Sequence, residues 1–212
     1  MASTNKAGIT VHDESEFAAM RVAGKLAASL LDKMVEAVQP GVTTDALNSL
    51  CHDMIIAAGA VPAPLNYRGF PKSICTSVNH VVCHGIPDDK KLQDGDIVNV
   101  DVTVIVDGWH GDTSRMYWVG EKVPIKAKRL CQVTYEAMML GIEQVKPGAT
   151  LGDIGHAIEV HAEKHNYAVV KEYCGHGIGK IFHTQPNVLH FGNPGEGMVL
   201  EEGMFFTVEP ML

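Results

Sequence analysis

The sequence lacks a hydrophobic run long enough to cross a membrane, a paired set of cysteines and an excess of basic charge. No stretch reaches roughly 18 consecutive apolar residues, so no membrane span is expected. Residues 1–16 contain no apolar signal-peptide core, and their acids argue against a transit peptide. The five cysteines are odd in number and form no Cys-x-x-Cys pair, which favours a reduced, cytoplasmic compartment. The net charge of −8 argues against non-specific nucleic-acid binding.

Apolar residues make up 46% of the sequence and charged residues 20%, a balance typical of a globular protein with a hydrophobic core. The length of 212 residues fits one large domain or two small ones. Helical periodicity and turn residues predict the order of the elements. These are a helix over 14–38, a second helix capped by Thr43 or Thr44, a strand over 73–83, helices over about 125–145 and 150–165, and short strands among glycine-rich turns over 168–209.

The segment from Asp96 to Tyr117 predicts a β-hairpin. Val and Ile dominate its first strand, and Asp107-Gly108 is a strong tight-turn signal. If the turn closes there, residue 103 faces Asp112, and Asp101 shares that face because side chains alternate along a strand. The two acids are then diagonal neighbours, roughly 7–8 Å apart at their Cα atoms. Two acids on one face of an apolar hairpin need a partner, and a cation is the simplest one.

An internal repeat relates two halves of the chain, at roughly 14–119 and 125–212. The motif Val-x-Pro-Gly-x-Thr occurs at 38–43 and again at 145–150, each time between two predicted helices. Such a duplication predicts two similar units that face each other across a pseudo-twofold axis.

The repeat also superposes two acids. DGDIVNVD at 94–101 matches EGMFFTVE at 202–209, which aligns Asp101 with Glu209. The functional site is therefore predicted between the halves, with one acidic strand from each.

Four residues could together bind a metal ion through oxygen and nitrogen atoms. Asp101, Asp112 and Glu209 are acids on apolar, strand-like segments, and His176 lies in Cys-Gly-His-Gly-Ile-Gly. This set suits Mn, Fe, Co or Zn better than copper. A bridging carboxylate would hold two ions about 3.5–4 Å apart, with a shared water or hydroxide as the nucleophile. The alternative is that the acids form salt bridges or lie on a hydrated hairpin face.

The remaining histidines fall into two groups. His84 and His183 are candidates for hydrogen bonding to a substrate carbonyl or for proton transfer, although the motif around His84, taken alone, favours an ordinary turn histidine. His156, His161 and His165 lie on one predicted helix, where a solvated helix face is favoured over a metal-binding pair.

Several apolar side chains are predicted near the histidines. They could line a small substrate pocket or belong to the ordinary core, and they are Tyr67, Phe70, Cys75 and Phe182. Two other interpretations are weak, since the cysteine–histidine spacings fit no zinc finger and the glycine-rich stretch 175–180 precedes no predicted helix.

Four motifs resemble those of the bacterial type I methionine aminopeptidases, from about Glu14 to the end of the chain: VCHGIPDD, GDIVNVDVTVIVDGWHGDTSRMY, EYCGHGIGKIFH and FFTVEPM. The resemblance implies an α/β (α+β) pita-bread fold, in which antiparallel sheet is covered by helices within a single metallopeptidase domain over 1–212. It also implies two divalent ions, with Co, Mn, Fe, Zn and Ni as candidates. The implied reaction releases the initiator methionine of nascent polypeptides when the second residue is small.

The resemblance assigns roles to individual residues. The metal-ligand positions correspond to Asp101, Asp112, His176 and Glu209. The two substrate-contacting histidines correspond to His84 and His183, which would hydrogen-bond the scissile group. The positions that line the methionine pocket correspond to Tyr67, Phe70, Cys75 and Phe182. Glu209 would serve both as a ligand and as a proton acceptor.

This sequence differs from the family pattern at its C-terminus. The family has a further segment that supplies the last bridging glutamate, a tryptophan near the pocket and closing strands, none of which occurs up to Leu212. We therefore expect a C-terminally incomplete domain that lacks its last strands and binds one ion better than two. The alternative is a catalytically impaired or inactive paralogue that binds peptides or the ribosome. A weaker alternative is a relative that acts on X-Pro or creatine-like substrates.

The resemblance also implies the partners. These are the N-terminal methionine of nascent peptides and the ribosome, with no nucleic-acid sequence recognition and no membrane. A monomer in the cytoplasm is expected.

Overall fold

A computed structural model describes residues 3–212, which form four α-helices and eight strands. Residues 1 and 2 of the predicted 1–212 domain lie outside the described residues. The elements are β1 (Ser3–Thr4), β2 (Thr10–Val11), α1 (Glu14–Ala37), α2 (Thr44–Ala57), β3 (Val61–Pro62), a 3-10 turn (Tyr67–Gly69), β4 (Cys75–Val78), β5 (Ile97–Val106), β6 (Trp109–Trp118), α3 (Ile125–Glu143), α4 (Leu151–Lys164), β7 (Gly175–Gly177) and β8 (Thr184–Val188). Within residues 3–212, every helix is too short or too polar to cross a membrane.

The chain divides into two compact units. The hairpin unit is Ala18–Lys128, and the C-terminal unit is Arg129–Leu212 together with the N-terminal segment that ends at Phe17. The predicted division into repeats over 14–119 and 125–212 stays a prediction.

A long antiparallel hairpin is the centre of the hairpin unit. β5 and β6 pair over their full length, and β3 and β4 share the other edge of β5. The connecting residues Asp107 and Gly108 have φ angles of 48° and 84°, as a two-residue type I′ loop requires. The register places Thr103 opposite Asp112 and Asp101 opposite Ser114. The predicted hairpin, its turn and its pairing are thus confirmed.

Helices α1 and α2 cover this sheet with an apolar core. Leu30, Leu31 and Met34 of α1 are buried in the same cluster as the valines of β5. A side chain at Gly111 of β6 would collide with the backbone of Ala23, so glycine permits the helix to approach the strand closely. Tyr117 donates a hydrogen bond of 2.6 Å from its hydroxyl to the carbonyl of Leu31 and fixes the same helix.

The C-terminal unit builds its own core between α3 and α4. Ala137, Ile154, Ile158 and Ala162 are fully buried there. Beside them, the segment after residue 201 follows β7, with hydrogen bonds from the Thr207 amide to the His176 carbonyl and a bridge between Gly177 and Phe206.

The two Val-x-Pro-Gly-x-Thr motifs end in the same local structure. Thr43 is the N-cap of α2 and Thr150 the N-cap of α4, and each hydroxyl accepts a hydrogen bond from an amide three residues later. The glycine amide before each cap donates to a distant leucine carbonyl: Gly41 to Leu92, and Gly148 to Leu200. The sequence predicts either Thr43 or Thr44 as the cap of α2, and the structure has Thr43 in that position.

Two predicted strands differ from the structure. The strand predicted over 73–83 is confined to Cys75–Val78, because Asn79 has a φ of 54°, which extended backbone does not adopt. Glu209 lies on no regular strand, since the pairing of its segment with β7 stops before it. The helices predicted over 125–145 and 150–165 are confirmed as α3 and α4, within two residues at each end.

Candidate active site

Two carboxylates lie on one face of the hairpin, as the register predicts. Asp101 is on β5 and Asp112 is on β6, and both are half-buried. The Thr103 hydroxyl donates a hydrogen bond of 2.9 Å to Oδ1 of Asp112. This bond restricts the rotation of the Asp112 carboxylate and is a contact that sequence reasoning missed.

Cys75 is a neighbour of Asp101 on the adjacent strand β4. It lies opposite Asp101 in the pairing of β4 with β5, and its side chain is buried. Burial raises the pKa of the Cys75 thiol, and the negative charges of Asp101 and Asp112 raise it further. The thiol therefore stays protonated and acts as a small apolar group next to the acids.

The loop that carries His84 is fixed against strand β4. The Thr76 amide donates to the Gly85 carbonyl at 2.8 Å, and the Gly85 amide donates to the Ser77 hydroxyl at 3.1 Å. A Cβ at Gly85 would collide with the Thr76 carbonyl, so only glycine permits this approach. His84 itself is exposed and has a φ of 53°.

Tyr67 and Phe70 belong to a tight turn in the same unit. The Phe70 amide donates to the Tyr67 carbonyl at 2.9 Å, and the guanidinium of Arg68 lies 5.3 Å from the centre of the Tyr67 ring. Just before this turn, the Ala63 amide donates to the Thr103 carbonyl of β5 at 2.9 Å. The turn is thereby tied to the strand that carries Asp101.

His176 and Glu209 meet within the C-terminal unit. His176 Nδ1 lies 3.0 Å from the Gly177 carbonyl, and it must donate because a carbonyl can only accept. The lone pair of the neutral ring is then on Nε2, which lies 3.5 Å from Oε1 of Glu209. Two acceptors that face each other at this distance need a proton or a cation between them.

Thr207 organises both of these groups. Its hydroxyl accepts a hydrogen bond of 2.9 Å from the His176 amide and lies 2.6 Å from Oε1 of Glu209, to which it donates. Thr207 thus fixes the Glu209 carboxylate in the way that Thr103 fixes Asp112.

His183 and Phe182 lie against His176. The centres of the His176 and His183 rings are 4.2 Å apart, and those of Phe182 and His183 are 4.1 Å apart. Phe182 is buried whereas His183 is exposed, so the apolar ring supports a histidine that solutes can reach.

His190 is a residue of this site that sequence reasoning missed. The Glu209 amide donates a hydrogen bond of 3.1 Å to His190 Nε2, and the histidine is fully buried. Within residues 3–212, its Nδ1 has no hydrogen-bond partner. Burial lowers the pKa of His190 to about 4, so the ring is neutral and holds the backbone of Glu209. A lone histidine between Leu189 and Phe191 was the only signal in the sequence.

The sequence pattern of metallopeptidase family M24 matches residues 18–212. The chain is 66% identical to the methionine aminopeptidase of Rickettsia prowazekii over 204 residues, which cover 96% of this chain and 78% of that protein.

The chain belongs to the M24 metallopeptidases, among the methionine aminopeptidases. Its fold matches the crystal structure of the R. prowazekii methionine aminopeptidase with a TM-score of 0.94, covering 95% of this chain and 81% of that one. The Thermotoga maritima methionine aminopeptidase matches with a TM-score of 0.92 at 36% identity, over the same shares of the two chains.

Family membership confirms several predictions. The fold is the α/β pita-bread fold, and the chain is a hydrolase of the aminopeptidase class that uses divalent metal ions. The alternative of an inactive binding paralogue is not favoured, because the similar methionine aminopeptidases are 50–66% identical to this chain.

Proposed function

We propose that this chain removes the N-terminal methionine of polypeptides whose second residue is small. The similarity to methionine aminopeptidases over 96% of the chain supports this activity. The observation that carries the proposal is the distance of 3.5 Å between His176 Nε2 and Glu209 Oε1, a spacing that suits two ligands of one cation.

The proposed metal ligands are Asp101, Asp112, His176 and Glu209. Three carboxylates and one neutral imidazole form the donor set that Zn, Mn, Fe or Co prefers. Bonds of about 2.0–2.2 Å to one ion put two ligand atoms about 3–3.5 Å apart, and the His176–Glu209 pair fits this spacing. Bound divalent ions would polarise the scissile carbonyl and activate a water molecule. Two ions per chain remain part of the proposal.

Thr103 and Thr207 orient two of these ligands. Each hydroxyl donates to one carboxylate oxygen, of Asp112 and Glu209 respectively, and so limits the rotation of that carboxylate. Such contacts from outside the ligand shell typically change metal affinity by about 10–100-fold.

His84 and His183 are the proposed substrate-contacting groups. Both are exposed imidazoles on well-fixed loops, which is suitable for hydrogen bonding to a peptide carbonyl. Charge develops on that oxygen during attack, and donors aimed at it lower the barrier. Glu209 is the proposed acceptor for the proton released by water, since its carboxylate lies beside the proposed metal position.

The proposed methionine pocket is lined by Tyr67, Phe70, Cys75 and Phe182. A thioether side chain is apolar and polarisable, and aromatic rings with a protonated thiol offer matching contacts. The raised pKa of Cys75 supports this role, because a thiolate would be an unsuitable neighbour for methionine.

We infer that the substrates are nascent chains at the ribosome, that the enzyme is a monomer, and that it acts in the cytoplasm. The five free cysteines support a reducing compartment.

The test uses the purified protein with Mn²⁺ or Co²⁺ and the tripeptide Met-Ala-Ser. Free methionine should appear, whereas N-acetylated Met-Ala-Ser should remain intact. Asp101→Asn should reduce kcat/KM by at least about 100-fold and weaken metal binding. Asp107→Asn is the matched control, since Asp107 lies in the exposed turn of the same hairpin and asparagine tolerates its φ of 48°. Absence of cleavage with every metal, or full activity of Asp101→Asn, would refute the proposal.

A further inference from the structure

A second group of metal-binding side chains lies within the C-terminal unit. It consists of Glu136 on α3, His161 on α4 and His165, the C-cap residue of α4. One ligand atom from each residue lies within 4.8 Å of those of the other two. Oε2 of Glu136 is 3.1 Å from Nε2 of His161, and the centres of the two imidazole rings are 4.6 Å apart. None of the three residues belongs to the proposed active site.

The two helices are fixed relative to each other beneath this group. Ala137 of α3 follows Glu136 directly and is buried in the same core as Ile158 and Ala162 of α4. At Gly141, a Cβ would lie 2.8 Å from the Ile158 side chain, so glycine allows the helices to approach closely. The positions of Glu136 and His161 are therefore set by the core and not by their own contact.

The histidines stand one helical turn apart. Residues i and i+4 share a helix face, and this spacing lets two imidazoles bind one ion. His165 has φ and ψ angles of −97° and 8°, which keep it close to the helical path at the end of α4. Sequence reasoning had favoured a solvated face here, but the His161 side chain is only 15% exposed.

The carboxylate is oriented by a neighbour on its own helix. The side-chain amide of Gln132 donates a hydrogen bond of 2.8 Å to Oε1 of Glu136, which directs Oε2 towards His161. Metal-binding carboxylates are commonly oriented in this way by a second hydrogen bond.

We propose that Glu136, His161 and His165 form a binding site for a divalent transition-metal ion, with Zn²⁺ as the preferred ion. Two imidazoles and one carboxylate are a frequent zinc ligand set, and a water molecule would take the fourth position. The Glu136–His161 distance already matches two ligands of one ion, and His165 needs a side-chain rotation to approach equally. The ion would join the middle of α3 to the end of α4. A simple ion pair explains the contact of Glu136 with His161 but gives no role to the position of His165.

The test measures zinc stoichiometry on the full chain, by equilibrium dialysis against buffered Zn²⁺ followed by elemental analysis. His165→Ala should bind one zinc ion fewer than the wild type under conditions that saturate the wild type. His156→Asn is the matched control on the same helix, because the His156 ring bonds to the Gly192 carbonyl elsewhere, and it should bind as the wild type does. Equal stoichiometry of His165→Ala and wild type would refute the site.

A second variant distinguishes loss of a zinc ligand from a folding defect. Glu136→Gln keeps the shape of the side chain and removes only the anionic ligand, and it should weaken zinc binding at this site by at least about tenfold. Circular dichroism in the presence of a chelator should be unchanged in both variants. In the wild type, zinc should also shift the NMR signals of the His161 and His165 rings. If zinc shifts neither ring, or if Glu136→Gln binds zinc as tightly as the wild type, the proposal is wrong.

Discussion

The hydroxyl of Thr103 donates a hydrogen bond of 2.9 Å to Oδ1 of Asp112, directly across the hairpin. Thr103 is only 2% exposed, so this bond is shielded from competing water. The hairpin register produces the contact, because it places the two residues opposite each other on the face that also carries Asp101.

Replacing Thr103 by valine tests the importance of this bond. Valine has the same shape and loses the donor, so the Asp112 carboxylate should rotate more freely, and metal affinity should fall about tenfold. Isothermal titration of the metal-free protein with Mn²⁺ measures the change. Thr103→Ser restores the hydroxyl and should recover most of the affinity. Equal Mn²⁺ affinity of the wild type, Thr103→Val and Thr103→Ser would show that the Thr103 hydroxyl does not contribute to metal binding.

Gly85 offers a test of the loop that carries His84. In Gly85→Ala, the new Cβ would collide with the Thr76 carbonyl, so the loop should move away from β4. We expect kcat/KM for Met-Ala-Ser to fall by at least about tenfold, since displacements near 1 Å can cost about 100-fold.

The control for this substitution is Gly24→Ala in helix α1. An added Cβ at Gly24 meets nothing within 4 Å, and alanine favours the helix by about 0.5–1 kcal/mol. This variant should keep its activity and unfold at a slightly higher temperature. Full activity of Gly85→Ala would show that His84 does not depend on the loop position.

Local sequence signals account for the parts of the fold that were predicted well. Asp107-Gly108 fixes the turn, and a side-chain period of two then fixes which residues face each other, so the pairing of Thr103 with Asp112 followed from the sequence. The ranges of α3 and α4 were predictable because helical periodicity is also a local pattern.

Long-range contacts account for the parts that were missed. The predicted strand over 73–83 ends at Val78, because its pairing depends on β5 and on the turn at Asn79. His190 acts on the backbone of Glu209, nineteen positions later, and no local pattern reports such a contact. The half-buried position of His161 likewise depends on how α3 packs on α4.

Cys75 should resist alkylation in the native protein. Burial and the charges of Asp101 and Asp112 raise the pKa of its thiol, so almost no reactive thiolate is present at pH 8. With iodoacetamide, the partly exposed Cys83 and Cys131 should be modified first, and Cys75 at least about tenfold more slowly. Peptide mass spectrometry over time measures the order. In urea all five cysteines should react alike, and rapid native labelling of Cys75 would contradict the buried, protonated thiol.

Neutral His190 should make stability depend on pH. Its pKa is about 4 in the folded protein and 6.5 in the unfolded reference, so the unfolded chain binds the extra proton between these values. The free energy of unfolding contributed by His190 is therefore complete above pH 6.5 and is lost as the pH falls towards 4, by up to about 3 kcal/mol. Urea unfolding of the metal-free protein at pH 7.5 and 4.5, followed by circular dichroism, measures the total change.

His190→Asn isolates the part that belongs to this ring. Its amide oxygen can still accept from the Glu209 amide, but it does not titrate, so the variant should lose less stability than the wild type between the two pH values. At pH 7.5 the variant should itself be less stable by about 1–3 kcal/mol, because the smaller side chain leaves space in the core and its hydrogen bond to the Glu209 amide is longer. The NMR titration of the wild-type ring provides the direct check. A His190 midpoint near 6.5 would mean that the ring is solvated, and the support that it gives to Glu209 would then have to come from another residue.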